Sequence, residues 1–147
     1  MLRRFAAMTP AERKLIVEAT TLLAVAGAAV RLFPLRWIVR ITGLREGVAP
    51  PPAVDDRLPT QRVARAIGSA SARIPWKTNC LAQALAGCVM LKRRGIASTV
   101  YLGVAKGGDA SLEAHAWLCS DERTLTGDGE LGRFTVVASF APQATFE

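Results

Sequence analysis

The chain has 147 residues, which is long enough for one domain with a hydrophobic core and too short for two ordinary domains. Half of the residues are apolar and 21% are charged, a composition that excludes an intrinsically disordered chain. A net charge of +7 fits a membrane surface or another acidic partner, and it fits a solvated basic surface equally well. The basic residues form no recognisable nucleic-acid-binding motif, which argues against nucleic acid as the partner.

The first predicted element is a helix over residues 9 to 33. Thr9 can cap it, and Glu12 three residues later completes a capping box. Its uncharged stretch, residues 19 to 30, is shorter than the roughly 20 residues that span a membrane, so we expect a packed helix. A signal peptide is the alternative, and the acidic residues Glu12 and Glu18 argue against it.

A second helix is predicted from Pro34 to Thr42, closed by Gly43. One face is apolar and another carries two arginines four residues apart; the residues concerned are Trp37, Ile38 and Ile41, and Arg36 and Arg40. This pattern is typical of a basic amphipathic helix. Such a helix can rest on a membrane surface or a partner protein, or it can simply pack on its own domain.

Four prolines follow among small and acidic residues between positions 44 and 59, which indicates an extended linker. We therefore divide the chain into an N-terminal helical extension (1–45), a Pro-rich linker (46–59) and a main domain (60–147).

Two helices open the main domain, over residues 60 to 72 and 80 to 94. Basic residues fill the last turn of the second one, and Gly95 ends it. Alternating apolar and polar residues then predict four strands, at 98–104, 112–119, 124–126 and 134–140. Helices followed by an antiparallel meander indicate an α+β fold.

A thiol and an imidazole stand out in this domain. Cys80 lies at a predicted helix start, where free backbone N–H groups and the helix dipole favour a thiolate. His115, the only histidine, lies on a strand and shares its face with Trp117 and Cys119. A cysteine nucleophile with a histidine base fits this pattern, although a buried cysteine and a structural histidine are the ordinary alternative.

Three cysteines cannot all pair with one another, and none lies in a C-x-x-C motif, which favours a reducing, cytoplasmic setting. With His115 they could form a Cys3His zinc set, but the close-paired spacing of such sites is missing. We expect no metal and no cofactor, and we expect Cys88 and Cys119 to be packing residues.

Several short segments resemble one protein family in order and spacing: Asn79-Cys80-Leu81, Ala84-Leu85-Ala86, Leu91 to Ile96, Gly103-Val104, Ala114 to Trp117, and Arg133 to Phe140. The family is the lasso-peptide B2 proteins, which are leader peptidases of the transglutaminase-like cysteine protease type. The resemblance covers residues 60 to 140, and segment 11 to 43 is also similar to family N-termini. It implies a papain/transglutaminase-like fold, with the nucleophile's helix packed on an antiparallel sheet and an N-terminal helical extension.

The resemblance implies that Cys80 is the nucleophile and His115 the base. The family usually places an aspartate about a dozen residues after the histidine, where this chain has Gly127. Asp128 is the first choice for the residue that orients His115, Asp121 is the second, and a backbone carbonyl is the remaining alternative.

Two tryptophans, Trp76 and Trp117, are candidates to line the substrate cleft, with plain packing as the alternative for Trp76.

The implied reaction is hydrolysis of the bond between the leader and the core of a ribosomally made precursor peptide. A separate leader-binding protein and an ATP-dependent macrolactam cyclase are the implied partners, and helix 34–42 is a docking surface for one of them or for a membrane. Two alternatives remain: acyl transfer to an amine, as transglutaminase relatives perform, and a non-catalytic scaffold of the maturation complex.

Overall fold

The computed structural model describes residues 9–48, 57–73, 80–107, 111–120, 123–127 and 131–142. Within these residues lie four α-helices and five strands. The helices are α1 (Pro10–Leu32), α2 (Leu35–Thr42), α3 (Arg57–Arg73) and α4 (Cys80–Arg93). The strands are β1 (Leu44–Glu46), β2 (Thr99–Lys106), β3 (Leu112–Ser120), β4 (Arg123–Thr126) and β5 (Thr135–Pro142), with a short 3-10 turn at Leu131–Arg133.

The strands form one antiparallel sheet in the order β1-β5-β2-β3-β4. The long hairpin of β2 and β3 is its centre, and His115 on β3 lies opposite Gly103 on β2. The short strand β4 forms one edge of the sheet beside β3. Its pairing starts at Leu118 with Thr126, so it does not reach back to the middle of β3.

The core lies where α1, α3 and α4 pack together and against β3. Its fully buried side chains come from every one of these elements and include Leu23, Ile67, Met90, Leu91 and Leu118. Gly87 allows α4 to approach the sheet closely, because a Cβ there would lie 2.7 Å from Leu118 Cδ2. This contact fixes the height at which α4, and the cysteine at its start, sits over β3.

The predicted α+β class is confirmed, including the helix that carries Cys80 and its packing on an antiparallel sheet. The predicted capping box of α1 is also present, since Glu12 N donates to Thr9 Oγ1 at 3.2 Å and Thr9 N donates to Glu12 Oε2 at 3.1 Å.

Two local expectations were wrong. Residues 44 to 46, expected at the start of the extended region, form β1 and pair with the distant strand β5. Three residues carry too short a pattern to reveal a partner almost a hundred residues away. Helix α3 begins at Arg57 and not at Thr60, because Pro59 falls within its first turn, where proline is tolerated. The division into extension, linker and main domain stays a prediction.

Helix α1 is long and apolar enough to cross a membrane, judged by length and composition alone. One of its faces, carrying Ile16, Ala19 and Leu23, is nevertheless buried in the protein core. Other apolar side chains of α1 are partly buried against that core, whereas Val17, Val25 and Leu32 are exposed.

Candidate active site

Cys80 is the first residue of α4, and its thiol touches the sheet. The Ala116 N–H donates to Cys80 Sγ at 3.3 Å, and the side chain is half-buried. Ala116 lies two residues before the point at which β4 begins to pair with β3, so its N–H is not occupied by that strand. The end of β4 therefore leaves a backbone donor available for the thiol, one residue from His115.

The imidazole of His115 is held by a backbone carbonyl. Its Nε2 lies 2.6 Å from Gly127 O, and the ring is half-buried. A carbonyl oxygen can only accept a hydrogen bond, so Nε2 must be the donor. In the neutral ring the proton then resides on Nε2, which leaves Nδ1 as the nitrogen that can accept a proton.

Gly127 can reach this position because it has no side chain. Its φ is +71°, a left-handed conformation that other residues adopt only with strain. A Cβ on it would lie 2.4 Å from Ala116 O and 3.1 Å from Trp117 Cβ, so there is also no room for one. Glycine is thus required at this turn for two separate reasons.

The three alternatives for the group that orients His115 can now be compared. The Gly127 carbonyl makes the contact, which is the backbone-carbonyl alternative. Asp128 and Asp121 both lie outside the described residues, so their predicted roles stay predictions. The sequence did contain a signal for this contact, because Gly127 stands where the family usually has an aspartate.

Aromatic side chains surround the imidazole. The Trp117 and Phe134 rings have centroids 5.9 and 5.2 Å from that of His115, and Tyr101 stacks on Trp117 at 5.8 Å. Trp117 is only 6% exposed, so most of its surface packs within the protein. Its predicted contact with substrate stays a prediction, and Trp76 lies outside the described residues. Phe134, which sequence reasoning did not single out, restricts the imidazole from a second side.

The other two cysteines have surroundings unlike those of Cys80. Cys88 is fully buried, and burial raises the pKa of its thiol, an effect that the Ser98 hydroxyl partly opposes by donating to Sγ at 3.3 Å. Burial likewise raises the pKa of the Cys119 thiol, which contacts Thr124 Oγ1 at 3.7 Å. Both are stabilised as neutral thiols, which fits their predicted packing role.

No group of three or more His, Cys, Asp or Glu side chains among the described residues could hold a metal ion.

A groove of about 690 Å³ runs between α3 and β4, lined by Gln61, Ala64, Arg65, Arg123, Thr124 and Leu125. It lies along β4, which leads directly into the Gly127 turn beside His115.

This arrangement provides the parts of nucleophilic catalysis. Cys80 is the first residue of α4, so its thiol and its backbone N–H lie at the positive end of the helix dipole. His115 is fixed in the tautomer that accepts a proton at Nδ1. A thiol, a base of defined tautomer and backbone donors for an oxyanion are together suited to acyl chemistry through a thioester.

The sequence pattern described as the transglutaminase-like superfamily matches residues 22–139 of this chain. The match begins within α1 and ends within β5, so it includes both Cys80 and His115. No curated protein and no solved structure matches the chain significantly.

Proposed function

Because this chain belongs to the transglutaminase-like superfamily, generally cysteine proteases or acyltransferases, we propose that it is a cysteine peptidase that removes the leader from a ribosomally made lasso precursor peptide. One observation carries the proposal. The Cys80 thiol accepts the N–H of Ala116, the neighbour of a histidine whose tautomer the Gly127 carbonyl sets.

In the first half of the reaction, the Cys80 thiolate attacks the carbonyl carbon of the bond between leader and core. His115 takes the thiol proton at Nδ1 and gives it to the nitrogen of the core as the C–N bond breaks. The backbone N–H of Cys80 stabilises the oxyanion. The leader is now held on Cys80 as a thioester, and the core has a free amine.

In the second half, His115 accepts a proton from water as the water oxygen attacks the thioester carbonyl. The C–S bond breaks, the leader leaves as a carboxylic acid, and the thiol is restored. A carbonyl dipole behind His115 orients the ring but carries no full charge. It therefore stabilises the imidazolium less than a carboxylate would.

We propose that the substrate peptide approaches along a groove on the protein surface. The groove between α3 and β4 has a volume within the range of ordinary ligand sites and follows β4 toward Gly127. In this proposal, an extended peptide in the groove continues past Gly127 toward Cys80 and His115.

The proposal includes two partners, a separate leader-binding protein and an ATP-dependent macrolactam cyclase that uses the freed amine. The described part of residues 1 to 48 consists of α1, α2 and β1, of which α1 packs on α3 and α4 while β1 joins the sheet. This part of the chain is integrated with the rest, which supports a leader-binding module on another chain. A cytoplasmic location suits three unpaired thiols.

The test is to incubate the protein with a precursor peptide and its leader-binding protein in water enriched in ¹⁸O, and to follow the products by mass spectrometry. We expect a core with a free amine and a leader with ¹⁸O in its new carboxylate. Cys80→Ala should abolish both products, whereas Cys119→Ala, which removes a different thiol, should not. Unchanged cleavage by Cys80→Ala would refute the proposal and leave the scaffold alternative.

The transferase alternative has its own readout in the same assay. It shares the thioester and differs only in the acceptor. Adding a primary amine should leave the leader acid as the main product. A leader joined to that amine, with no ¹⁸O acid, would identify an acyltransferase.

A further inference from the structure

Exposed apolar side chains are concentrated in the second half of α1, at the junction that follows it and along α2. Its members are large apolar side chains between 47 and 76% exposed; we call them the apolar ridge: Val25, Leu32, Phe33, Trp37 and Ile41. Isolated exposed apolar residues are common in soluble proteins, but a set drawn from consecutive turns of chain usually marks an interaction site.

The fold does not need the ridge for its own packing. Helix α2 already buries Ile38, which is 6% exposed, and Val39 packs on the core beside it. Trp37 and Ile41 lie four residues apart on the outward side of the same helix. The helix therefore has one apolar face for the core and a second one that no described residue covers.

The charged side chains in the stretch of chain that contains the ridge are all positive. Residues 19 to 45 include no aspartate or glutamate and four arginines, Arg31, Arg36, Arg40 and Arg45. All four are exposed, and none forms an ion pair with another residue that the structure describes. On α2, Arg36 and Arg40 lie next to the ridge residues, so cationic and apolar groups can reach the same surface.

This combination points to one kind of partner. Apolar side chains bordered by arginines, with a tryptophan among them, are what a helix presents when it lies in the headgroup layer of an anionic membrane. A membrane also accepts the outward face of α1, which carries no charge from Ala19 to Val30.

We infer that the apolar ridge and its arginines dock this protein on the surface of an anionic lipid bilayer, with α2 lying in the interface. Helix α1 stays on the protein in this arrangement, because Ile16, Ala19 and Leu23 remain in the core that it shares with α3 and α4. The inference does not depend on the proposed peptidase activity.

The ridge has a fixed orientation relative to the rest of the fold. Lys92 on α4 donates to Thr42 O at 2.8 Å, which ties the end of α2 to the helix that carries Cys80. Gly43, with φ +74°, then turns the chain into β1, which pairs with β5. Docking through the ridge therefore presents the active site at a defined height and angle above the bilayer.

The test uses the full-length protein and sedimentation with vesicles of phosphatidylcholine alone or with about 30% phosphatidylglycerol. We expect binding to the anionic vesicles only, weakening as salt is raised. Arg36→Gln with Arg40→Gln should weaken binding about 25-fold, since each arginine near an anionic surface accounts for about fivefold. Trp37→Ser with Ile41→Ser should weaken it by more than about tenfold.

Two matched controls separate the ridge from general properties of the chain. Arg62→Gln with Lys106→Gln removes the same charge from exposed positions on α3 and β2, and Leu112→Ser removes an apolar side chain that is 73% exposed on β3. Both controls should bind vesicles like the wild type. All the positions are at the surface, so the thermal unfolding midpoint should stay unchanged and confirm that each variant folds.

Several outcomes would overturn the inference. Equal binding to neutral and anionic vesicles would show that charge does not contribute, and equal losses in the control that removes two charges elsewhere would reduce the effect to net charge. Binding that resists both high salt and alkaline carbonate would show an inserted α1 in place of surface docking. Absence of vesicle binding, with self-association or partner binding lost in the ridge variants, would assign the ridge to a protein.

Cleavage of soluble precursor should be the same in all variants. Failure of the membrane inference can therefore be distinguished from failure of the peptidase proposal.

Discussion

The two ends of α4 have different kinds of contacts. At its C-terminal end, Glu18 of α1 accepts hydrogen bonds from Arg93 at 2.8 Å and from Arg94 at 2.6 Å, and Lys92 binds the end of α2. At its N-terminal end, Cys80 accepts one weak hydrogen bond from the Ala116 N–H in the middle of β3, and Gln83 Nε2 donates to Ser71 Oγ of α3 at 3.1 Å. The helix is fixed by its charged end and its buried middle. Its first turn carries the Cys80 thiol, which has a single weak hydrogen bond with a described residue.

The largest expected effect comes from comparing two glycines that have the same backbone conformation but lie near opposite ends of α4. Gly127, beside the N-terminal end, and Gly95, at the C-terminal end, both have φ +71°. An added Cβ would collide with Ala116 O at Gly127 and would meet nothing within 4 Å at Gly95.

We expect Gly95→Ala to cost about 1 to 2 kcal/mol of stability, the strain of a left-handed alanine, and to leave turnover unchanged. Gly127→Ala carries the same strain and also displaces the carbonyl that orients His115, so we expect turnover to fall about 100-fold. The measurements are thermal unfolding and the cleavage rate below the melting transition of both variants. If Gly127→Ala cleaves as fast as Gly95→Ala, the carbonyl is not what positions the ring.

The second prediction compares the first turn of α4 with its middle. Iodoacetamide at neutral pH should modify Cys80 at least about tenfold faster than Cys119, and should not modify Cys88 in the folded protein. Burial raises the pKa of both slower thiols, so at this pH they remain neutral, and Cys88 is also inaccessible. Peptide mapping by mass spectrometry measures each rate.

Denaturant provides the control, since all three thiols should then react alike. His115→Ala should slow Cys80 in the folded protein without affecting Cys119. Equal reaction of Cys80 and Cys119 under native conditions would contradict a special reactivity at the start of the helix.

The smallest expected effect is at the C-terminal end. The hydrogen bond from Arg94 lowers the pKa of the Glu18 carboxyl from its ordinary value of 4.5, with burial opposing the shift and the charges of Arg94 and Arg93 adding to it. Glu18→Gln should therefore cost about 1 kcal/mol at pH 7 and leave turnover unchanged. Glu12→Gln, the same change at an exposed position of α1, should cost less.

The pH dependence of this loss has a definite sign. A carboxyl with a lower pKa in the folded state stabilises the protein above its unfolded pKa, and the contribution is lost as the pH falls through the folded pKa. The stability difference between wild type and Glu18→Gln should thus be full at neutral pH and shrink progressively below 4.5. Denaturant unfolding at several pH values measures it, and a constant difference would mean that the ion pairs are not its cause.

The sequence predicted the helices better than it predicted the sheet edge. Capping residues and apolar spacing are local signals, so α1, α2 and α4 were found within a few residues of their bounds. The strand β1 depends on a partner remote in sequence, and only tertiary pairing makes it visible.

Prediction of the candidate site from sequence was limited in the same way. Cys80 and His115 could be found from residue type and context, whereas the contact between the Ala116 N–H and the thiol is made by a backbone group. Backbone groups are the same at every residue, so no sequence pattern distinguishes the one that lies next to a sulfur atom.

The contact of the Gly127 carbonyl with His115 has a consequence for how substitutions affect this protein. A carboxylate that orients a histidine can be lost by changing one codon, whereas a main-chain oxygen persists through every substitution that preserves the turn. A scan that replaces polar side chains one at a time would therefore miss this contact to His115. Its existence would become visible only through changes in chain geometry, or through chemical synthesis that replaces the peptide unit itself.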